Sequence, residues 1–315
     1  PFGGDYRIID FILSSMVNAG ITDVGVIMHG KCQSLLDHLG SGKSWDLSRN
    51  FGGLTLLPAF AYTERRGGDG QFRGRVEALA SVMNYLKGIR QDYVVLADSD
   101  TVMNLPLEDV FRRHIDTGAD ITAVCATGAG EDTYFTLDGM GRITDTAYAL
   151  YTPAGYRCLN VFVLRRDLLL ELVAECASRN GYSLRRNILQ EMGGRLKLYG
   201  YVYDGYAAHI NTLQSYYDRS MELLDASVRQ ALFCPQRPVY GKESDSPSGY
   251  IDPDGGCVNS LIADGCDIRG SVKNCILFRN VRIERGASVE NCILFKDTVV
   301  KKGASLRSVI TDKYV

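Results

Sequence analysis

An α/β domain followed by a parallel β-helix is the architecture this sequence predicts, and three observations carry it. Residues 1 to about 230 alternate helical and strand patterns in β-α-β order, for which a parallel, right-handed crossover is the natural topology. Within them, Val94, Val95, Leu96 and Ala97 form a run apolar on both faces, as in a central strand of a parallel sheet covered by helices on each side; Asp98, Ser99 and Asp100 follow at once. Near the C-terminus, residues 271–278 (SVKNCILF) recur as residues 288–295 (SVENCILF), an offset of 17 with Lys273 replaced by Glu290, and Ser305 begins a third copy. A beat of about six runs through Val281, Ala287, Cys292 or Ile293, Thr298 and Ala304; six nested in about eighteen marks a hexapeptide coil with three short faces.

Each element has its own signal. Residues 7–19 carry apolar side chains at helical spacing and Gly20 supplies a stop. Residues 24–28 read as a short buried strand, and the glycine-rich residues 31–62 as short elements and loops. A helix over 75–89 leads into the strand at 94–97; another spans 106–115, with Pro106 in its first turn. Strands follow at 120–125, 158–164 and 195–203, separated by helices at 167–178 and 183–192. A helix over 211–225 closes the domain, with Asn211 and Gln214 at the spacing of a capping pair. Pro235, Pro238, Pro247 and Pro253, among serines and glycines, mark an irregular linker. The expected division is an α/β domain over 1–233, a linker over 234–255 and a β-helix over 256–315.

Composition narrows the function. A net charge of -2 gives no broad electrostatic footprint for nucleic acid or an anionic membrane. No apolar run approaches the roughly 20 residues of a membrane span, and no signal peptide is visible. Nine cysteines, an odd number without a C-x-x-C pair, read as reduced thiols of a cytosolic protein; Cys275 and Cys292 sit inside apolar runs. A β-helix acyltransferase is disfavoured, because few coils are visible and none of the four histidines lies in them.

The opening residues 1–15 (PFGGDYRIIDFILSS), residues 205–217 (GYAAHINTLQSYY) and the β-helix repeat together resemble the ADP-glucose pyrophosphorylase (glucose-1-phosphate adenylyltransferase) family, over nearly the whole chain. The resemblance implies a Rossmann-like nucleotidyltransferase domain, a left-handed β-helix, tetramers regulated by small phosphorylated metabolites, and a cytoplasmic role in bacterial glycogen synthesis. In active members glucose 1-phosphate attacks the α-phosphorus of ATP, while two aspartates hold Mg²⁺ against oxygens that gain charge.

Laid on this sequence, the family's Gly-Asp-His segment falls on Asp98-Ser99-Asp100, so the catalytic aspartate is Ser99. Its Trp-Arg-Asp-Val-Gly-Thr segment falls on residues 207–212, placing His209 at the second aspartate. Neither a hydroxyl nor an imidazole replaces carboxylate oxygen for Mg²⁺. The Gly-Thr-Ala-Asp-Ala element of the nucleotide pocket appears as residues 74–78 (GRVEA), and no Glu-Lys-Pro segment precedes Cys158. This pattern is similar to the second, D-type subunit found beside the catalytic one in some Gram-positive bacteria. It implies a partner of a catalytic subunit, with no metal of its own, that shapes activity or regulation without doing the chemistry.

Alternatives stay open at several residues. A one-residue shift would let Asp98 or Asp100 hold a metal in an active enzyme, against the plainer reading of loop carboxylates. His209 is read as a hydrogen-bonded structural residue rather than a base. Arg73, Gly74 and Arg75 belong to a pocket for ATP, glucose 1-phosphate or a phosphorylated effector, or else Arg73 and Arg75 join Arg65 and Arg66 in a solvated basic loop. Residues 65–70 (RRGGDG) read as a flexible loop rather than a P-loop. The arginine pairs 112–113, 165–166 and 185–186 are expected on solvated helix faces. Tyr182, Tyr199, Tyr201, Tyr203 and Tyr206 read as core or interface rather than a sugar platform, and residues 276–278 and 293–295 as packing between coils, their outward members free for an oligomer contact.

Overall fold

The computed structural model describes residues 1–28, 30, 32–58, 72–128, 132–149, 155–243 and 245–315. Its contacts fall into two compact units: residues 16–98 with 105–205, and residues 1–15 with 99–104 and 206–315. The loop at 65–70, with Arg65 and Arg66, lies outside the described residues.

In the first unit, β1 (Asp23–Met28) pairs in parallel with β2 (Gly53–Pro58), with helix α2 (Gln33–Leu39) between them in sequence. The helix expected over 75–89 is two, α3 (Arg75–Ser81) and α4 (Met83–Gly88). They part at Val82, which leaves helical geometry (φ −111°, ψ 20°) while its side chain stays in the core. Strand β3 (Tyr93–Ala97) follows, then α5 (Leu107–Thr117), which Pro106 precedes as the capping residue instead of lying in its first turn.

A six-stranded mixed sheet holds β3, β5 (Ile121–Ala126), β6 (Asp132–Leu137), β7 (Ile143–Ala149), β8 (Tyr156–Arg165) and β9 (Leu198–Val202). Its order corrects the expectation of an all-parallel centre. β8 runs antiparallel to both β3 (Ala97 opposite Val161) and β5 (Ile121 opposite Leu164), and only β5 and β9 pair in parallel. The cause is the β6–β7 hairpin, which alternates short strands around an Asp138 turn and turns the chain round before β8. β5 is buried on both faces, with α3, α4 and α6 (Arg166–Ser178) over one core and a wide helical segment, Leu184–Gln190, at its end.

Among the described residues two strand edges have no paired neighbour. Among the described residues β1 pairs only with β2 and β3 only with β8. A cavity of about 480 Å³ lies between them, lined by Val24 and Ile27 of β1, Val94 and Leu96 of β3, Leu86 of α4 and Phe111 of α5.

His114 of α5 is buried, with Nδ1 2.8 Å from Thr122 Oγ1 and its ring edge-on to Tyr93 at 5.6 Å. Burial pushes its pKa below the usual imidazole range, partly countered by Asp120. The unfolded chain takes up a proton near pH 6.5 while the folded chain holds His114 neutral to lower pH, so protons favour unfolding. This contribution is complete above about pH 6.5 and is lost as the pH falls below it. Urea midpoints at pH 7.0 and 5.5 are expected to differ less in His114→Gln than in the native chain.

In the second unit, β4 (Thr101–Met103) pairs antiparallel with β10 (Ala207–His209). Phe2 meets Phe11 of α1 (Ile8–Asn18) edge-on at 5.7 Å, and Tyr6 stacks on Phe233 at 5.4 Å. Buried Asn104 donates to the carbonyls of Leu232 (2.7 Å) and Arg237 (2.8 Å), tying down the start of the proline-rich stretch. Helix α7 (Leu213–Met221) is capped by Thr212 and Ser215 reciprocally, not by Asn211 and Gln214; a hydroxyl at both positions closes the capping box. Helix α8 (Ala226–Leu232) follows, capped by Asp225.

The left-handed β-helix consists of three parallel sheets. One stacks β11 (Tyr250–Ile251), β14 (Asp267–Ile268), β17 (Arg282–Ile283) and β20 (Val299–Val300); the second stacks β12 (Cys257–Val258), β15 (Ser271–Lys273), β18 (Ser288–Glu290) and β21 (Ser305–Arg307). The third stacks β13 (Leu261–Ile262), β16 (Ile276–Leu277) and β19 (Ile293–Leu294). Ser271, Ser288 and Ser305 lie in register, as the repeat requires. Asn259, Asn274 and Asn291 turn successive coils at φ 44°, 52° and 54°, a conformation asparagine tolerates, and their amides bond in a ladder at 2.9 and 3.2 Å. The apolar face expected to be free for an oligomer is covered within the unit: Ile276, Phe278 and Ile293 pack with Tyr216, Met221 and Leu224.

Candidate functional site

Gly74 and Arg75 open α3 against the chain at Tyr182. A Cβ on Gly74 would stand 2.4 Å from the Tyr182 carbonyl oxygen, which also accepts the Val76 N–H at 3.0 Å; only glycine lets the helix start there. Arg75 then extends over the Phe162 ring, 5.4 Å from its centroid, and ion-pairs with Asp98. The Asp98 N–H donates to Asn160 O at 3.3 Å, and Asn160 holds the left-handed conformation (φ 58°). Below them burial pushes the Cys158 thiol up to about 12, so it is no nucleophile.

Arg73 is equally committed. Its N–H donates to Glu77 Oε2 at 2.7 Å, its guanidinium reaches Glu77 and Asn180 Oδ1 (3.1 Å), and it covers the Tyr182 ring at 4.9 Å. Glu77, which sequence reasoning passed over, is the buried carboxylate that organises this corner; its signal was the i, i+4 spacing from Arg73.

Asp100 and His209 meet in the other unit. His209 closes β10 opposite Thr101, its Nε2 3.1 Å from Asp100 Oδ2, while Thr101 Oγ1 donates to Asp100 Oδ1 at 3.2 Å and the Ile210 N–H to Asp100 O at 2.8 Å. The histidine is thus held as a structural partner of a carboxylate. Ser99 is exposed.

Among the described residues these tyrosines make separate contacts, and Tyr182 is exposed rather than core. Tyr203 is buried, Tyr206 donates to Glu222 at 2.5 Å, and Tyr182 and Tyr199 face Arg73 and Arg113. In the three arginine pairs the solvated-face expectation holds for Arg112, Arg165 and Arg186, which are exposed, but not for their neighbours. Arg113 bonds the Met140 carbonyl, Arg166 the Ile89 carbonyl at 2.7 Å, and Arg185 lies over Tyr148 at 4.1 Å, because a guanidinium caps a carbonyl or a ring more readily than it stays in water unpartnered.

The donor set is wrong for the divalent cation of the active family members. Asp98 carries a guanidinium, Asp100 an imidazole and a hydroxyl, and among the described residues no three His, Cys, Asp or Glu side chains gather to hold a metal. No helix among the described residues is long and apolar enough to cross a membrane.

Comparison with known proteins agrees in both halves of the chain. A nucleotidyl transferase family model matches residues 1–134, and a model described as GlmU-like, C-terminal hexapeptide matches residues 249–315. Glycogen biosynthesis protein GlgD of Bacillus subtilis is 37% identical over 315 residues, covering 100% of this chain and 82% of that protein. GlgD of Geobacillus stearothermophilus is 36% identical (91% of this chain, 74% of that protein), and glucose-1-phosphate adenylyltransferase of Thermotoga neapolitana is 30% identical (91% and 69%). With a nucleotidyltransferase fold, a left-handed β-helix and relatives of this closeness over its whole length, the chain belongs to the family of GlgD and the glucose-1-phosphate adenylyltransferases, as a subunit of glycogen biosynthesis.

Proposed function

We propose that this chain is the non-catalytic subunit that assembles with a catalytic glucose-1-phosphate adenylyltransferase and shapes its rate or its response to phosphorylated effectors. One observation carries the reading: both positions where the family keeps a metal-holding aspartate are occupied by other residues, Ser99 and His209. The carboxylates on either side, Asp98 and Asp100, support it, since each already has a partner within the chain. Arg73 and Arg75, tied to Glu77 and Asp98, order the start of α3 rather than serve as phosphate ligands.

Activity then comes from the partner, and this chain contributes a surface and a fold. Mixed with the catalytic homologue of its own organism at micromolar concentration, the chain is expected to elute with it as one hetero-oligomer in size exclusion. Separate elution, with no change in the homologue's rate or effector response, would overturn the proposal.

A further inference from the structure

Arg75 is a largely covered cation whose charge is offset by its immediate neighbours. It opens α3, and its side chain is only 23% exposed. A cation is held there because two partners offset the cost: the Phe162 ring beneath it and the Asp98 carboxylate in front. Both ends of the pair are also fixed through the backbone. Gly74 and Val76 seat the helix start on Tyr182, and the Asp98 N–H is bound to Asn160 O. Two long surface side chains that meet by chance give a weak ion pair; these are set in place by the elements that carry them.

We infer that Arg75 is a resident counter-ion of Asp98 whose guanidinium keeps hard divalent cations, Mg²⁺ or Mn²⁺, away from that carboxylate. The exclusion is an active property of the fold, separate from the loss of carboxylates at positions 99 and 209. A lost ligand leaves a weak site; a bound guanidinium places a repelling charge in it. The inference rests on side chains within one unit and not on the proposed role as a partner subunit, so it stands or fails whether or not the chain joins a catalytic homologue.

The probe is Mn²⁺ itself, read through paramagnetic broadening of backbone amide signals in the whole 315-residue chain at constant ionic strength. In the native chain the amides of Ala97, Asp98 and Asn160 are expected to broaden no more than the surface average. In Arg75→Ala the same three signals are expected to broaden at least about tenfold more at equal Mn²⁺, the effect of removing a unit positive charge a few ångströms away. Adding Asp98→Asn to that variant returns them to the native level, and Arg75→Lys, which keeps the charge, stays near it. Should Arg75→Ala lose its dispersed spectrum, Arg75→Gln carries the same expectation, because it keeps the stem over Phe162 and drops only the charge. Equal site-selective broadening in the native chain, or none in a folded variant lacking the charge, overturns the inference.

Discussion

Incubated alone with Mg²⁺, ATP and glucose 1-phosphate, the chain is expected to form ADP-glucose at least about a thousandfold more slowly than an adenylyltransferase that keeps both aspartates. The magnitude follows from the missing metal: its charge stabilisation of the transition state is worth several kcal/mol, and each ~1.4 kcal/mol is a factor of ten in rate. Ser99 and His209 cannot supply it, and Asp98 and Asp100 stand against Arg75 and His209. The check is chromatographic detection of ADP-glucose with the catalytic homologue assayed in parallel. Tens of turnovers per second by the chain alone would sink both the expectation and the non-catalytic reading. Restoring Ser99→Asp alone is expected to gain little, because one carboxylate without its counterpart at position 209 leaves the ion half-held.

The second large effect lies in the β-helix. Val289 is 1% exposed, sits between Val272 and Leu306 in neighbouring coils, and belongs to a core to which its coil adds Val281 and Ile283, Ala287 and Val289, and Cys292 and Leu294 from its three faces. Val289→Asp puts an unpaired carboxylate there, a cost of several kcal/mol against a domain stability of roughly 5–15 kcal/mol. Stacked coils contact only their neighbours, so damage in the middle coil removes support from both sides. The variant is expected to lose the cooperative urea transition of the β-helix, whereas Val289→Ala only lowers its midpoint, by a destabilisation of about 1–3 kcal/mol. Hydrogen exchange resolved by residue distinguishes the two: protection is lost across residues 267–300 in the aspartate variant and kept in the alanine one. A normal transition in Val289→Asp would show that this core is wetter than its burial implies.

The β-helix was legible because repetition is a local signal: an offset of 17 between residues 271 and 288 is the register the strands adopt, Ser271 on Ser288 and Ser305. Its first coil was less visible because it is shorter. Cys257 pairs with Val272 and Leu261 with Ile276, an offset of 15 that breaks the visible period. In the α/β part the strands were readable from apolar runs but not their order, since β8 owes its antiparallel direction to a hairpin whose strands alternate weakly. Asn211 and Gln214 had the right spacing for a cap, and Thr212 and Ser215, one residue later, had the right hydroxyls; spacing alone does not choose between them.

The site divides in the same way. That Ser99 and His209 fall where the family resemblance expects aspartates was readable from the sequence. That Asp98 faces Arg75 is not, because the two are 23 residues apart and meet only when α3 packs beside β3 and β8. His209 and Asp100, 109 residues apart, meet only through the antiparallel β4–β10 pair. Sequence tells which residue types stand at these positions; the fold tells what has taken up the charges of Asp98 and Asp100.

The edges of β1 and β3 that have no paired neighbour among the described residues carry a practical consequence. Each edge presents a row of peptide donors and acceptors toward an apolar hollow, and such a row will recruit whatever extended backbone is near. Solutions of this chain by itself are therefore expected to scatter light increasingly with concentration and warming. Handling it dilute and cold, or trapping it with a peptide that can lie flat in that gap, is the route to well-behaved samples.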